Sequence, residues 1–142
     1  MRVLLDANVL ISYLLTPAQN SAVTRIVDAA VLGEYQLLMP EELLDELEET
    51  VRTHEHLARR ISVEAMRIFV DLVLEIAEVI PRLTEPIPAL TRDPEDDYLI
   101  VYALIGRAEY LVTGDRDLLV LERVESVDIL TPNAFGQLLS ES

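Results

Sequence analysis

Short apolar runs alternate with segments of helical periodicity along this chain. Residues 2–5 form an apolar run that ends at Asp6, which is the pattern of a buried parallel strand. Three other short, mostly apolar segments, at 35–39, 110–113 and 127–130, predict three further strands. Strands that alternate with helices favour a parallel sheet with helices on both faces. We therefore expect an α/β fold, a three-layer α/β/α sandwich around a central, mainly parallel sheet of four or five strands.

The segments between these strands have apolar residues spaced as in amphipathic helices. Ser62 is expected to cap one helix, and Asp93 is expected to cap another that begins at Pro94. For the end of the helix that Ser62 caps, residues 77–80, a strand is the alternative. The spacing predicts helices over 9–15, 21–32, a segment opened by Pro40, 62–80, 94–105, 115–121 and 132–139. No repeat or linker-like stretch divides the chain, so we predict one domain over residues 1–142.

The composition is that of a globular protein. The chain has 142 residues, of which 51% are hydrophobic, so it can bury a core and does not have the composition of a disordered segment. No apolar run reaches the roughly 18 to 20 residues that span a membrane, and Asp6 precedes any apolar region that a signal peptide would need. The absence of cysteine excludes disulfides and a thiolate zinc site. We predict a cytoplasmic protein without membrane contact.

The charge of the chain is strongly acidic. Its 26 acidic and 11 basic side chains leave a formal net charge of −15. Phosphate backbones are normally met by a basic surface, so this total argues against a protein that holds nucleic acid by bulk charge. The acids are unevenly distributed, however, and crowd the segments 41–49 and 93–97. Their positions relative to the predicted strands are therefore more informative than their number.

Four separate segments carry acids where a predicted strand ends or where a helix begins. Asp6 follows the first strand, and Asp115 follows the strand at 110–113. Ligands of open parallel sheets bind outside the carboxyl ends of the strands, so these segments are expected to meet at one edge. The other acids lie near helix starts and are Glu42, Glu46, Asp93, Asp96 and Asp97.

Several carboxylates at one edge repel one another unless a positive charge lies between them. Because the chain has no Lys and no Cys, a hard cation bound by oxygen, Mg²⁺ or Mn²⁺, is the expected counter-charge. Such an ion can generate a hydroxide nucleophile and stabilise an in-line displacement at phosphorus. The acids therefore favour metal-dependent chemistry on a phosphate ester.

Each acid also has a purely structural interpretation. Asp6 and Asp93 could cap the helices that follow them, and Asp115 could be a turn residue. Glu42 and Glu46 lie one helical turn apart and could belong to a solvated face. Only the coincidence of four such segments favours a functional site.

Five motifs, taken in order, resemble those of the PIN domain. They are Leu4–Ser12, Pro40–Leu47, Arg92–Asp97, Leu111–Leu119 and Leu130–Phe135. Each motif alone is weak evidence, and their order and separations carry the resemblance over residues 1 to about 136. Within the PIN domains, the chain is similar to the bacterial and archaeal group described as toxin components of toxin–antitoxin pairs.

The resemblance implies a metal-dependent ribonuclease and gives individual residues their roles. Glu46, rather than Glu42, corresponds to the acid of the helix after the second strand, and Asp96 remains an alternative to Asp97. Ala7 stands where many members have Thr. The catalytic acids, which would hold one or two Mg²⁺ or Mn²⁺ ions, correspond to Asp6, Glu46, Asp97 and Asp115. Supporting roles correspond to the polar residues Asn8, Ser12, Asp96, Thr113 and Asp117.

The implied reaction is cleavage of a phosphodiester bond in single-stranded RNA by the toxin of a type II toxin–antitoxin pair. Because the chain is acidic, RNA binding is expected to depend on the metal and on local arginines, with Arg92 and Arg116 as candidates. The resemblance also implies a homodimer and a small antitoxin that blocks the acidic site with a basic segment.

Other functions remain alternatives to this interpretation. A receiver domain needs a Lys after a late strand, and the chain has none. A haloacid-dehalogenase-like phosphatase needs a second Asp where Asn8 stands. Within the PIN fold, the alternatives are a module that binds RNA or protein without turnover and a housekeeping nuclease of RNA processing.

Overall fold

Strands and helices alternate through residues 1–15, 21–86 and 94–141, which are the residues that the computed structural model describes, with the backbone alone for 94–96. The strands in these ranges are β1 (Arg2–Leu5), β2 (Gln36–Pro40), β3 (Glu78–Ile80), β4 (Tyr110–Val112), β5 (Arg123–Val124) and β6 (Val127–Leu130). The helices are α1 (Ala7–Leu15), α2 (Ala22–Val31), α3 (Glu41–Thr53), α4 (Glu55–Arg60), α5 (Val63–Ile76), α6 (Pro94–Ile105), α7 (Arg116–Leu119) and α8 (Pro132–Glu141).

The strands form one sheet in the order β3-β2-β1-β4-β6-β5. All neighbouring strands are parallel except β5, which pairs with β6 in the antiparallel direction. The predicted α/β fold with a mainly parallel sheet and flanking helices is therefore confirmed. The predicted number of strands was too low, because the described residues form a six-stranded sheet. The strand that no apolar run predicted is β5, which is two residues long and too short to show a period.

The core is continuous along the central strands. Val3, Leu4 and Leu5 of β1 are buried, and Leu4 pairs with Leu38 of β2 and Leu111 of β4. Strands with neighbours on both sides and helices over both faces must be apolar on both faces, which explains the unbroken runs in the sequence. Of the helices in the described part of the chain, none combines the length and the hydrophobicity needed to cross a membrane.

The helix boundaries agree with the predicted capping residues where these are described. Ser62 caps α5, since its side chain accepts a hydrogen bond of 3.0 Å from the backbone N–H of Ala65. The predicted helix over 62–80 was too long: α5 ends at Ile76, and Glu78–Ile80 instead pairs with β2 as a strand. The short helix α4 was not predicted, and the expected cap Asp93 lies outside the described residues.

The order of the strands reverses at β1. The chain proceeds from β1 to β2 and β3 on one side and then returns to place β4 and β6 on the other side. In open parallel sheets, ligands bind at such a reversal, outside the carboxyl ends of the strands. The residues that follow β1 and β4 are therefore the first candidates for a functional site.

Candidate active site

Asp6 lies directly after β1, at the reversal of the strand order. Its carboxylate Oδ2 accepts a hydrogen bond of 2.7 Å from Thr113 Oγ1, and the backbone N–H groups of Ala7 and Asn8 also bind the carboxylate. Burial raises the pKa of Asp6, these hydrogen bonds lower it, and the negative charge of Asp115 raises it further. Asp6 thus lies directly before α1 and has a carboxylate whose negative charge a nearby cation would stabilise.

Thr113 connects Asp6 to Asp115. Its side chain is 0% exposed, and while its hydroxyl donates to Asp6, the same oxygen accepts a hydrogen bond of 3.0 Å from the backbone N–H of Asp115. Asp115 in turn caps α7, where its Oδ1 accepts from the backbone N–H of Asp117 at 2.9 Å. A buried hydroxyl therefore joins the ends of two adjacent parallel strands.

The acids of α3 have different partners although they lie on one face. The hydroxyl of Tyr98 donates a hydrogen bond to Oε2 of Glu46. The hydroxyl of Tyr102 donates to Oε1 of Glu42 at 3.0 Å, and Glu42 also forms an ion pair of 3.6 Å with Arg82. Glu42 therefore belongs to an ion-paired contact with the segment after β3.

Asp97 lies in the first turns of α6 and is 4% exposed. A carboxylate near the N-terminus of a helix is stabilised by the helix dipole, which lowers the cost of burying it there. The side chain of its neighbour Asp96 and the whole of Arg92 lie outside the described residues. Asp97 is therefore a buried acid at the start of α6, and Asp96 stays an alternative to it.

The other predicted residues make fewer contacts with the site. Asn8 is exposed and contributes its backbone N–H to Asp6. Ser12 is half-buried in α1, and among the described residues it forms no hydrogen bond with Asp6. Asp117 is exposed and contacts Asp115 through its backbone, and Arg116 is exposed at the start of α7. The structure therefore gives Asn8 and Asp117 main-chain contacts with the site.

Of the predicted acids, Asp6 and Asp115 are linked through Thr113, whereas Glu46 has Tyr98 as its hydrogen-bond partner. Among the side chains that the structure describes, those of residues 1–15, 21–86 and 97–141, no three carboxylates or imidazoles lie close enough together to hold one metal ion. Asp6 and Asp115 share Thr113, and the charges of Glu46 and Asp6 both raise the pKa of Tyr98, although burial raises it more. The donors are carboxylate oxygens, which suit a hard divalent cation. The raised pKa of Asp6 means that its ionised form is disfavoured in the folded protein, and such a cation would stabilise that form.

The tyrosines of α6 were not among the predicted site residues. Tyr98 and Tyr102 lie four residues apart, as do Glu42 and Glu46 of α3, so each pair occupies one helical face. The matching spacing was visible in the sequence, but the contact between the two faces depends on how α3 and α6 pack.

Comparison with known proteins identifies the family to which this site belongs. The family model described as a PIN domain matches residues 2–117. The chain belongs to the PIN domain family. PIN domains are generally nucleases, and the matched range of this PIN domain contains all four predicted catalytic acids, from Asp6 to Asp115. No curated protein matches the chain. The predicted family is confirmed, and the assignment to the toxin group stays a prediction.

Proposed function

We propose that this PIN domain is a Mg²⁺- or Mn²⁺-dependent endoribonuclease that cleaves single-stranded RNA. The observation that carries the proposal is the chain of hydrogen bonds from Asp6 through Thr113 to Asp115 at the reversal of the strand order. Two carboxylates from adjacent strand ends lie in this arrangement, where ligands of such sheets bind. Membership of a family of nucleases supports the same function.

One or two divalent ions would be held by the carboxylates of four residues, Asp6, Glu46, Asp97 and Asp115. A bound ion would supply an activated water and stabilise the charge that develops on the leaving oxygen. The protein's own contribution is to orient the carboxylates before RNA arrives. Thr113 and the first turn of α1 hold Asp6, and the cap of α7 holds Asp115. Groups held in advance need little reorganisation during the reaction.

RNA would contact this acidic chain through few positive charges. Arg116 is exposed beside Asp115, and Arg92 is the second candidate from the sequence. Because each phosphate contact adds to the salt dependence of binding, few such contacts predict a shallow dependence on salt. Specific binding would then require the metal to be present.

Within this activity, we propose the toxin role, with a homodimer and a small antitoxin as partners. The resemblance to the toxin group supports this role, and the exposed acids Glu41, Glu48 and Glu49 of α3 would attract a basic segment of an antitoxin. A housekeeping ribonuclease is the alternative. An adjacent reading frame that encodes a short DNA-binding protein with an Arg-rich tail would favour the toxin role.

The test of the proposed function is cleavage of single-stranded RNA by the purified protein. We expect cleavage with Mg²⁺ or Mn²⁺, loss of cleavage with a chelator, and recovery when either metal is restored. Double-stranded RNA and DNA of the same sequence serve as controls for the substrate class. Cleavage that a chelator leaves unchanged, or no cleavage across a broad set of RNAs, would contradict the proposal.

Thr113→Val is expected to lower the rate of RNA cleavage by about 10- to 100-fold, which is the usual effect of removing a group that orients a metal ligand. Valine has the shape of threonine but cannot donate to Asp6 or accept from the N–H of Asp115. Thr113→Ser is the matched control, since it keeps the hydroxyl and is expected to stay within a few-fold of wild type. Equal rates for the valine and serine variants would show that the hydroxyl has no role.

A further inference from the structure

Tyr98 contacts one of the proposed metal-holding acids from a buried position. Its side chain is 9% exposed, and its hydroxyl donates a hydrogen bond to Oε2 of Glu46. A carboxylate oxygen can only accept a hydrogen bond, so the Tyr98 hydroxyl acts towards Glu46 as the donor.

Tyr102, one turn further along α6, also contacts a glutamate of α3, but its hydroxyl has a second partner in the segment after β3. Its hydroxyl donates to Glu42 at 3.0 Å, but it also accepts from the backbone N–H of Leu83 at 3.0 Å. Glu42 and Asp45 form ion pairs with Arg82, at 3.6 and 2.6 Å. The Tyr102 contact therefore holds the segment after β3 against α3, whereas the Tyr98 contact reaches the acid that the family resemblance places at the metal.

We propose that Tyr98 is a positioning residue that orients the carboxylate of Glu46 for metal binding, an inference that rests on the proposed function. A glutamate side chain has several rotatable bonds, and restricting them costs free energy each time a ligand is bound. A hydrogen bond from a buried, rigid phenol restricts them in advance.

The test is Tyr98→Phe, which removes the hydroxyl and keeps the ring that packs in the core. We expect the affinity for Mn²⁺, measured by calorimetry without RNA, to fall about 10-fold, as for other groups that orient metal ligands. The kcat for RNA cleavage is expected to fall by a similar factor, with KM for RNA within about 2-fold of wild type, because Tyr98 is buried and its hydroxyl is directed at Glu46.

Tyr102→Phe is the matched control, because it removes the same atom from the same helix. It is expected to lower the thermal midpoint, through loss of the contacts with Glu42 and Leu83, while Mn²⁺ affinity and kcat stay unchanged. A Tyr98→Phe protein with wild-type Mn²⁺ affinity and kcat would overturn the inference. A loss of affinity as large in Tyr102→Phe would overturn it too, since the effect would then reflect general loosening of α6.

A double-mutant cycle tests whether Tyr98 acts through Glu46. Glu46→Gln should itself weaken Mn²⁺ binding, and adding Tyr98→Phe should then change the affinity less than 2-fold, because no carboxylate remains to be positioned. A further loss of about 10-fold in the double variant would contradict the inference. If the wild-type protein neither binds Mn²⁺ nor cleaves RNA, the proposed function itself fails, which is a different result from a silent Tyr98→Phe.

Discussion

Asp6→Asn is expected to reduce RNA cleavage by at least about 100-fold, which is the scale of losing one charge-stabilising group in an active site. Asparagine keeps the size of the side chain and can still accept the hydrogen bond from Thr113. It loses the negative charge that a divalent ion requires at this position. The fold should therefore persist while the proposed chemistry is lost.

The thermal stability of Asp6→Asn is a second measurement, and the direction of its change can be predicted. Burial raises the pKa of Asp6, so the folded protein favours the neutral carboxyl more than the unfolded chain does. At neutral pH the ionised group therefore lowers the stability of the metal-free protein, and this cost decreases as the pH falls through the raised pKa. A neutral amide removes the cost at every pH, so the thermal midpoint without metal should equal or exceed that of wild type.

The control for Asp6→Asn is the same chemical change at an exposed position. Asp71 lies on the exposed surface of α5, and Asp71→Asn is expected to leave the cleavage rate and the thermal midpoint unchanged. Both rates are measured with saturating Mn²⁺ and the same RNA. If Asp6→Asn retained more than about a tenth of the wild-type rate, Asp6 would not take part in the proposed chemistry, because the loss of such a group is expected to cost more than that.

Leu4→Ala is expected to lower the free energy of unfolding by about 3 to 5 kcal/mol, the upper part of the range for buried leucines. Leu4 is 0% exposed and lies in β1, between β2 and β4. Because strands and helices surround it, the cavity left by the truncation has little room to collapse. Domains of this size are stable by roughly 5 to 15 kcal/mol, so the loss would be a large part of the total.

Equilibrium unfolding in urea, followed by circular dichroism, measures this effect. Leu32→Ala is the matched control, because it deletes the same atoms from a residue that is 76% exposed at the end of α2. A change within about 0.5 kcal/mol is expected there. A Leu4→Ala cost of less than about 1 kcal/mol would mean that β1 is not the centre of the core, because buried leucine truncations cost more than that.

Much of the fold could be predicted from local patterns. The segment 127–130 predicts β6 at its observed bounds, because Val127 and Ile129 alternate with Asp128 and are the buried residues of the strand, which is the period-2 pattern of a half-buried strand. The strand β3 at 78–80 was only an alternative, since its apolar residues also continue the pattern of α5. In the folded protein residues 78–80 form a strand because they pair with β2. The short element β5 depends on its partner β6 and has no signal of its own.

The segments that form the candidate site could be predicted from the sequence, but most contacts between their side chains could not. The positions of Asp6 and Asp115 after strands indicate one edge of the sheet, because parallel strands end on the same side. The hydroxyl of Thr113 between them follows only from the pairing of β1 with β4. The contact between Tyr98 and Glu46 joins residues far apart in the chain, and neither residue type alone predicts it.

The sequence by itself determined the layers of this protein and the four segments that carry its acids. It could do so because hydrophobic period and strand-end position are local properties of the chain. Only the tertiary structure decided what surrounds each acid: Glu42 pairs with Arg82, whereas Glu46 faces Tyr98. The two glutamates are alike in residue type, helical face and partial burial, and they acquire different partners only once α3, α6 and the segment after β3 have packed together.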